Sequence, residues 1–447
     1  MSQDIRLKYS SCLEKFKPIM QYCLDITIET TLKYLNGSCL SIYLVGSFGR
    51  GEGALYCNEG ETRPLRDFDI LVVTSKRIDH DILQAIEEEI HERLGIPSPL
   101  KGSLEEFYIW VTYTTLRDLL KCPPLLKYYE LKTASKLLYG VDIRGFINIR
   151  PEDLSLYNGI LILFSKVYGL LTLYPLTAKT RKRIVNYIYE VLKTYTEIST
   201  VFSLLDNSIY KPSFTERCKA FYEKYSSLMP GLFKLIPPLS EYLMMSCNRR
   251  RLLDDVLVDS LELRALTTSV VETLDKMISL YLRAGYGVSI SLRGFTEADK
   301  TYIGRIGLIT LAEFFSSYLR AKGVKYPFLA KLLGLTVAVV YTLFANVDFV
   351  VRSRRNRLPV RTCLLFSPRN HYVYLTYVSL RLLKLLAYGN EDELEKLGIS
   401  ALGEYLPQNS LVKLTGINNV ALRRYVMLKI VVKLLQLADI ALHRKAF

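Results

Sequence analysis

Two kinds of apolar spacing divide this chain of 447 residues, and that division limits its possible folds more than any other feature. Before residue 150 the apolar residues fall largely in short runs: Leu40–Val45, Phe68 with Ile70–Val73, Phe107–Tyr113 and Lys136–Val141. Runs of that length, rich in β-branched and aromatic residues, predict strands. They are accompanied by helical spacing over residues 5–35, stopped by Asn36-Gly37, and over 79–94. Beyond residue 150, helical spacing dominates, including 154–173, 180–205, 252–285, 302–322, 327–350, 371–388 and 419–443, with prolines such as Pro175, Pro212, Pro359 and Pro407 in the gaps. The expectation is an α+β N-terminal domain over 1–148, a short mixed sheet flanked by helices. A mostly α-helical region over 149–447 follows, in one or two packed bundles, with a subdivision near 290 left open. Residues 54–66 read as a polar loop with a turn at 58–60.

Charge follows the same division. Residues 1–150 hold 19 Lys and Arg against 20 Asp and Glu, whereas residues 151–447 hold 40 against 24. The whole basic excess therefore lies in the helical region, and Arg249-Arg250-Arg251 and Arg352, Arg354, Arg355 and Arg357 are its densest runs. Such a surface suits RNA or another polyanion as well as it suits plain solvation. Eight cysteines lack C-x-x-C spacing and only four histidines occur, which argues against a zinc site and against a disulfide framework. His371 and His443 read as packing or helix-end residues. The segment MSQDIRLKYS lacks an apolar leader core, so a cytoplasmic protein is expected. Leu332–Ala345 and Leu156–Leu173 approach the length of a membrane span, which needs about 20 apolar residues. Both read as buried helices of a soluble domain, with no membrane span.

The strand-forming part also carries the chemistry. Strand side chains alternate faces, so Asp67 and Asp69 point the same way with Cα atoms about 6.6 Å apart, while Phe68 and Ile70 point into a core. Two carboxylates so placed repel unless a cation lies between them. Mg²⁺ or Mn²⁺ suits this all-oxygen chemistry and commonly takes substrate phosphates as further ligands. Upstream, an apolar run ends in Gly46-Ser47, followed by Arg50, Gly51 and two further glycines in GSFGRGEG. Such a turn lets backbone approach a ligand and forms an anion-binding concavity, with Arg50 able to add a charge-assisted contact.

GSFGRGEG followed by DFDILVV resembles the G-S…D-x-D pattern of the DNA polymerase beta superfamily of nucleotidyltransferases. With RPLRDFDILVV and KLLYGVDIR, it looks like the nucleotidyltransferase-domain proteins related to antibiotic-modifying enzymes, over roughly residues 38–145. The resemblance implies that Gly46, Ser47, Arg50 and Gly51 hold a nucleoside triphosphate and that Asp67 and Asp69 hold metal. It also implies a third carboxylate in the next strand, serving as metal ligand and base. The middle of FYIWVTY has none; Glu106, in phase with Tyr108 and Trp110, is the candidate, with Glu105 beside it.

The function so implied is transfer of a nucleoside monophosphate, AMP for preference, from an NTP to a hydroxyl-type acceptor with release of pyrophosphate. The acceptor is open among a small molecule, a protein side chain and an RNA 3′ end. Two alternatives stand beside it: a non-catalytic nucleotide or RNA sensor on a degenerate transferase scaffold, and a toxin–antitoxin-like interaction module. The R-x(4–6)-H motif of a helical ribonuclease partner, which would favour the latter, does not occur.

Overall fold

The apolar spacing of the first 35 residues produces α1 (Gln3–Leu35), which ends in a turn where Asn36 and Gly37 have φ of 30° and 78°. The next elements are β1 (Cys39–Val45), α2 (Gly46–Gly49), β2 (Leu55–Asn58), β3 (Glu61–Pro64), β4 (Phe68–Thr74), α3 (His80–Leu94), β5 (Ile109–Thr115), α4 (Leu116–Leu120), α5 (Leu126–Ala134) and β6 (Lys136–Gly140). The structure, a computed structural model, describes residues 3–58, 61–96, 107–174, 180–206, 210–228, 242–247, 251–287, 297–321, 323–324, 326–361, 364 and 371–446. The protein is mixed α/β and mostly helical, with two small sheets among the described residues.

The larger sheet has the strand order β5-β4-β1-β6, with β4 and β5 parallel and the other neighbours antiparallel. Its central strands are apolar on the covered face: Ile42 and Leu44 of β1 and Phe68, Ile70 and Val72 of β4 are all buried. They pack with Phe16 and Leu24 of α1 and with Ile86 and Ile90 of α3. Phe48, Phe68 and Phe107 form a tight aromatic group there, with centroid separations of 4.6 Å (Phe48–Phe68) and 4.9 Å (Phe68–Phe107). Edge-on pairs at such distances add about 0.5–1.5 kcal/mol each beyond area burial.

Further along are α6 (Tyr157–Leu173), α7 (Arg181–Leu205), α8 (Phe214–Leu228), β7 (Leu252–Leu253), α9 (Asp255–Asp259) and α10 (Leu263–Tyr286). They are followed by α11 (Glu297–Ala321), α12 (Pro327–Arg355), α13 (His371–Tyr388), α14 (Glu391–Tyr405), α15 (Gln408–Thr415) and α16 (Val420–Ala446). The chain divides into two compact units, Met1–Leu154 with Thr180–Leu261, and Ser155–Lys179 with Glu262–Phe447. The spacing pattern places one boundary near residue 148, where the helices begin. Contacts instead place residues 180–261 with the sheet, because α7 and α8 carry the partners of the sheet's buried charges. The second unit takes residues 262–447 together, without a division near 290.

Residues 54–66 correct the loop expectation. Leu55–Asn58 and Glu61–Pro64 pair antiparallel, and β7 adds a parallel strand, Leu55 and Tyr56 facing Leu252 and Leu253. Four-residue strands are too short for spacing to betray, and half of this small sheet's support lies 200 residues away. Cys12 and Cys57 form a disulfide linking α1 to β2, with Cα atoms 6.4 Å apart, which cysteine spacing alone did not suggest.

The two apolar helices part company in the second unit. Leu163, Phe164, Val167 and Leu170 of α6 are buried, as expected. In α12 the most apolar 18-residue window, mean hydropathy 2.0, is only 28% buried. The expectation of a buried core helix is therefore wrong for residues 332–351: apolar spacing cannot tell a helix covered by protein from one that presents its apolar side chains outward.

Candidate functional site

Register brings the site together. Val45, the last residue of β1, lies opposite Asp69 of β4, so Gly46 leaves the sheet beside that carboxylate. Gly46 has φ of +65°, and a methyl group added to it would overlap Asp69 Oδ2. Both conditions strain any side chain at this position and favour glycine beside the carboxylate. Gly49 is needed for a different reason: a side chain there would strike the Leu44 carbonyl. Ser47 sits in the first turn of α2, half-buried, its carbonyl accepting the Glu52 N–H at 2.8 Å.

Asp67 immediately precedes β4 and Asp69 is its second residue. Their carboxyls lie within hydrogen-bond reach of one another, an arrangement that favours a proton over two adjacent negative charges. Burial pushes Asp69 well above the usual carboxylate range, the adjacent Asp67 adds to the shift, and Lys193 and Arg50 oppose it. That is the signature of a buried carboxylate pair without enough positive charge around it. A hard divalent cation on these oxygens would relieve the same repulsion, since carboxylate oxygens are the donors that Mg²⁺ and Mn²⁺ take.

Strand β5 lines the next column of this face. Asp69 pairs in register with Trp110, and the Phe68 N–H donates to the Tyr108 carbonyl at 3.1 Å. The Tyr108 hydroxyl hydrogen-bonds Asp67; burial first, then the Asp67 charge, keep that phenol protonated far beyond its ordinary range. Trp110 is 41% exposed and is the single tryptophan of the chain. The positions nearest the aspartates on β5 are thus aromatic. Among the described residues no group of three or more acidic, His or Cys side chains is arranged to hold a metal. Glu105 and Glu106 lie outside the described residues.

Arg50 is not directed at the aspartates' open side. Its side chain, 7% exposed, bonds Glu130 at 2.9 Å, lies 3.6 Å from Glu52, and stacks over Phe214 of α8 at 4.2 Å. Arg217, fully buried, bonds Glu130 from the other side at 3.0 Å and donates to Thr200 of α7 at 2.9 Å. Burial alone would raise the Glu130 carboxyl, but Arg50 and Arg217 outweigh it and hold it ionised. The Glu52 carboxylate accepts from Ser213 Oγ at 2.8 Å and from the Phe214 N–H at 3.0 Å. Arg50 therefore acts on Asp69 through its field, as a fixed charge behind the site. Gly51 has φ of +69°, and its carbonyl accepts from Arg251, whose guanidinium lies over the Tyr9 ring at 5.1 Å.

Two further features escaped the reading of the sequence. Arg66, next to the pair, forms an ion pair with Glu190 of α7; burial opposes its charge, but Glu190 and then Asp67 more than offset that. Lys193, one turn further along α7, is half-buried and exerts the largest favourable charge effect on Asp69. The available signal was a lysine within VNYIYEVLKTYTEIST, a stretch otherwise suited to burial. Arg249 and Arg250 lie outside the described residues, as does the side chain of His443. His371 is buried in the second unit against Tyr405, a packing role.

In comparisons with family models, curated proteins and solved structures, nothing matches the chain.

Proposed function

We propose that the protein is a metal-dependent nucleotidyltransferase that moves a nucleoside monophosphate, AMP for preference, from an NTP to an acceptor and releases pyrophosphate. The observation that carries this reading is the Asp67–Asp69 pair, half-buried, its carboxyls close together and set against Gly46 at the end of β1. Asp67 and Asp69 would hold Mg²⁺ or Mn²⁺, which supplies positive charge to the triphosphate and to the departing pyrophosphate. Gly46 and Ser47 leave the backbone open to the phosphates, Lys193 adds a cation from α7, and Arg50 and Arg66 stay fixed in their ion pairs as a positive background. Pre-placed charge of this kind needs no rearrangement when negative charge moves onto the leaving group. Trp110 offers a flat, half-open ring to a base or an acceptor.

A second reading has its own support. The residues beside the aspartates are Trp110 of β5 and Tyr108 just before it, where proton abstraction from an acceptor would call for a carboxylate. A nucleotide sensor would need the metal and triphosphate contacts without that base. Incubation with each α-labelled NTP, Mg²⁺ or Mn²⁺, and total RNA or cell extract separates the two. The transferase reading expects label on an acceptor, reduced about 10³-fold or more in Asp69→Asn, since loss of the cation removes several kcal/mol from the transition state. Saturable NTP binding with no pyrophosphate under any condition would favour the sensor. Transfer undiminished in Asp69→Asn would sink the assignment of the site.

A further inference from the structure

Helix α12 is built inside-out by the standards of a water-soluble domain. Most residues it turns inward are small or polar: Ala330, Gly334, Ala338, Thr342, Ala345, Asn346 and Ser353 are all buried, joined by the larger Tyr341, Phe349 and Val350 in its C-terminal half. Most of its large apolar residues are turned outward, with Phe328 79%, Leu332 51%, Val340 47% and Phe344 57% exposed. A soluble helix in a bundle does the reverse, because burying large side chains is what stabilises it.

The inward stripe explains itself by close packing. Gly334 approaches α11 so tightly that an added methyl would overlap the Ser316 N–H and the Ala312 carbonyl. Small residues at four-residue spacing, Ala330, Gly334, Ala338 and Thr342, let two helix backbones come together with little side chain between them. That is how helices pack where the surroundings are as apolar as the side chains, so nothing is gained by burying large ones.

The outward surface needs a different partner. Residues 335, 336 and 337 are all exposed, as are 332, 333, 339, 340, 343, 344 and 347. At 100° per residue these positions cover far more than one stripe. A second protein copy would cover a single face of the helix; a surrounding apolar fluid would cover all of it. From Phe328 to Val351 the helix runs for about 36 Å at 1.5 Å per residue, against about 30 Å for a bilayer's hydrocarbon. The charged residues within this length are Lys331, close to one end, and Asp348, which is ion-paired with Arg352. The other end carries Arg352, Arg354, Arg355 and Arg357, the last three exposed, and Tyr326, 72% exposed, stands at the start. Basic residues and aromatic rings at the ends of an apolar length match the headgroup layer.

We propose that the outward surface of α12 is covered by the hydrocarbon of a lipid bilayer, with Arg354, Arg355 and Arg357 against the anionic headgroups of one leaflet. The second unit is then a membrane-seated platform. This reading stands independently of the transferase proposal, since it uses no residue of the sheet unit.

The test is flotation of the full chain with vesicles of phosphatidylcholine and phosphatidylglycerol, and with phosphatidylcholine alone. The chain should float with the mixed vesicles and remain bound through a high-salt wash. Val339→Glu with Phe344→Glu should lower partitioning by more than tenfold per site, as expected for a charge facing hydrocarbon. Both side chains point outward, so the circular dichroism spectrum and melting of this variant should match those of the parent. Replacing Arg354, Arg355 and Arg357 with Gln should weaken binding to the mixed vesicles roughly fivefold per residue and leave the weaker binding to phosphatidylcholine alone unchanged. Failure to float, complete release by salt, or flotation undiminished in the Glu variant would each overturn the proposal. So would a detergent-free dimer that the Glu variant dissociates, which would assign the surface to a second copy.

Discussion

The two units handle charge and apolar surface in opposite ways. In the sheet unit the charges are inside: Arg50, Arg66, Arg217, Glu52, Glu130 and Glu190 are mostly or wholly buried and paired with one another around two aspartates that are not fully neutralised. In the second unit many large apolar residues of one helix, α12, are outside. Each arrangement is costly in water, and each marks where something external would complete the protein. Buried charges stay buried because removing either partner strands the other, whereas an exposed apolar surface loses its cost only when something apolar covers it. The difference teaches where to look for function: at unpaired charge in one unit, at uncovered apolar area in the other.

The largest effect on the folded state should come from breaking the charge network. Glu130→Ala leaves Arg217, fully buried, and Arg50, 7% exposed, without their shared partner. It should cost about 3–5 kcal/mol, read from chemical denaturation. If it costs less than the double replacement of Arg50 and Arg217 by methionine, the network is not coupled as described. A smaller effect is expected at Lys193. Lys193→Ala should raise KM for the NTP by roughly 10- to 100-fold through loss of a charge-assisted contact of about 1.5–3 kcal/mol, with melting little changed. An unchanged KM would remove α7 from the phosphate site.

The smallest effect concerns pH. Asp69 is held well above its ordinary range, so the folded state retains a proton that the unfolded chain releases. Its ionisation therefore destabilises the fold at high pH, and the penalty disappears as pH falls below the unfolded carboxylate value, near 3.9. Asp69→Asn should melt above the parent at neutral pH, and the gap should close on acidification. Added Mg²⁺ should raise the parent's melting temperature and not the variant's. A variant that melts below the parent at neutral pH would contradict the raised value.

The elements of the sheet unit were legible in the sequence for a physical reason. Its central strands are buried on one face, so Leu40–Val45 and Phe68–Val73 show themselves as apolar runs, and their alternation places Asp67 and Asp69 on one side. The stop at Asn36-Gly37 was equally readable because the turn requires positive φ. What stayed hidden depends on distant partners. The pairing of β2 with β7, the bridge from Cys12 to Cys57, the capture of Arg50 by Glu130 and the approach of Lys193 to Asp69 are contacts between residues 45 to nearly 200 apart, and no local pattern encodes them. The exposure of α12 was hidden for another reason. Composition reports that a helix is apolar, and only the placement of small residues on its inward stripe reveals which side faces protein.

In the proposed function Asp67 and Asp69 hold a metal–triphosphate complex, and the single tryptophan provides a direct reading of it. Trp110 lies opposite Asp69 in the sheet and is partly open, so its fluorescence reports on that face alone. Titration with each NTP in the presence of Mg²⁺ should give a saturable change for at least one nucleotide. That change should require the metal and vanish in Asp69→Asn. No change with any NTP under Mg²⁺ or Mn²⁺, or the same curve in Asp69→Asn, would contradict it.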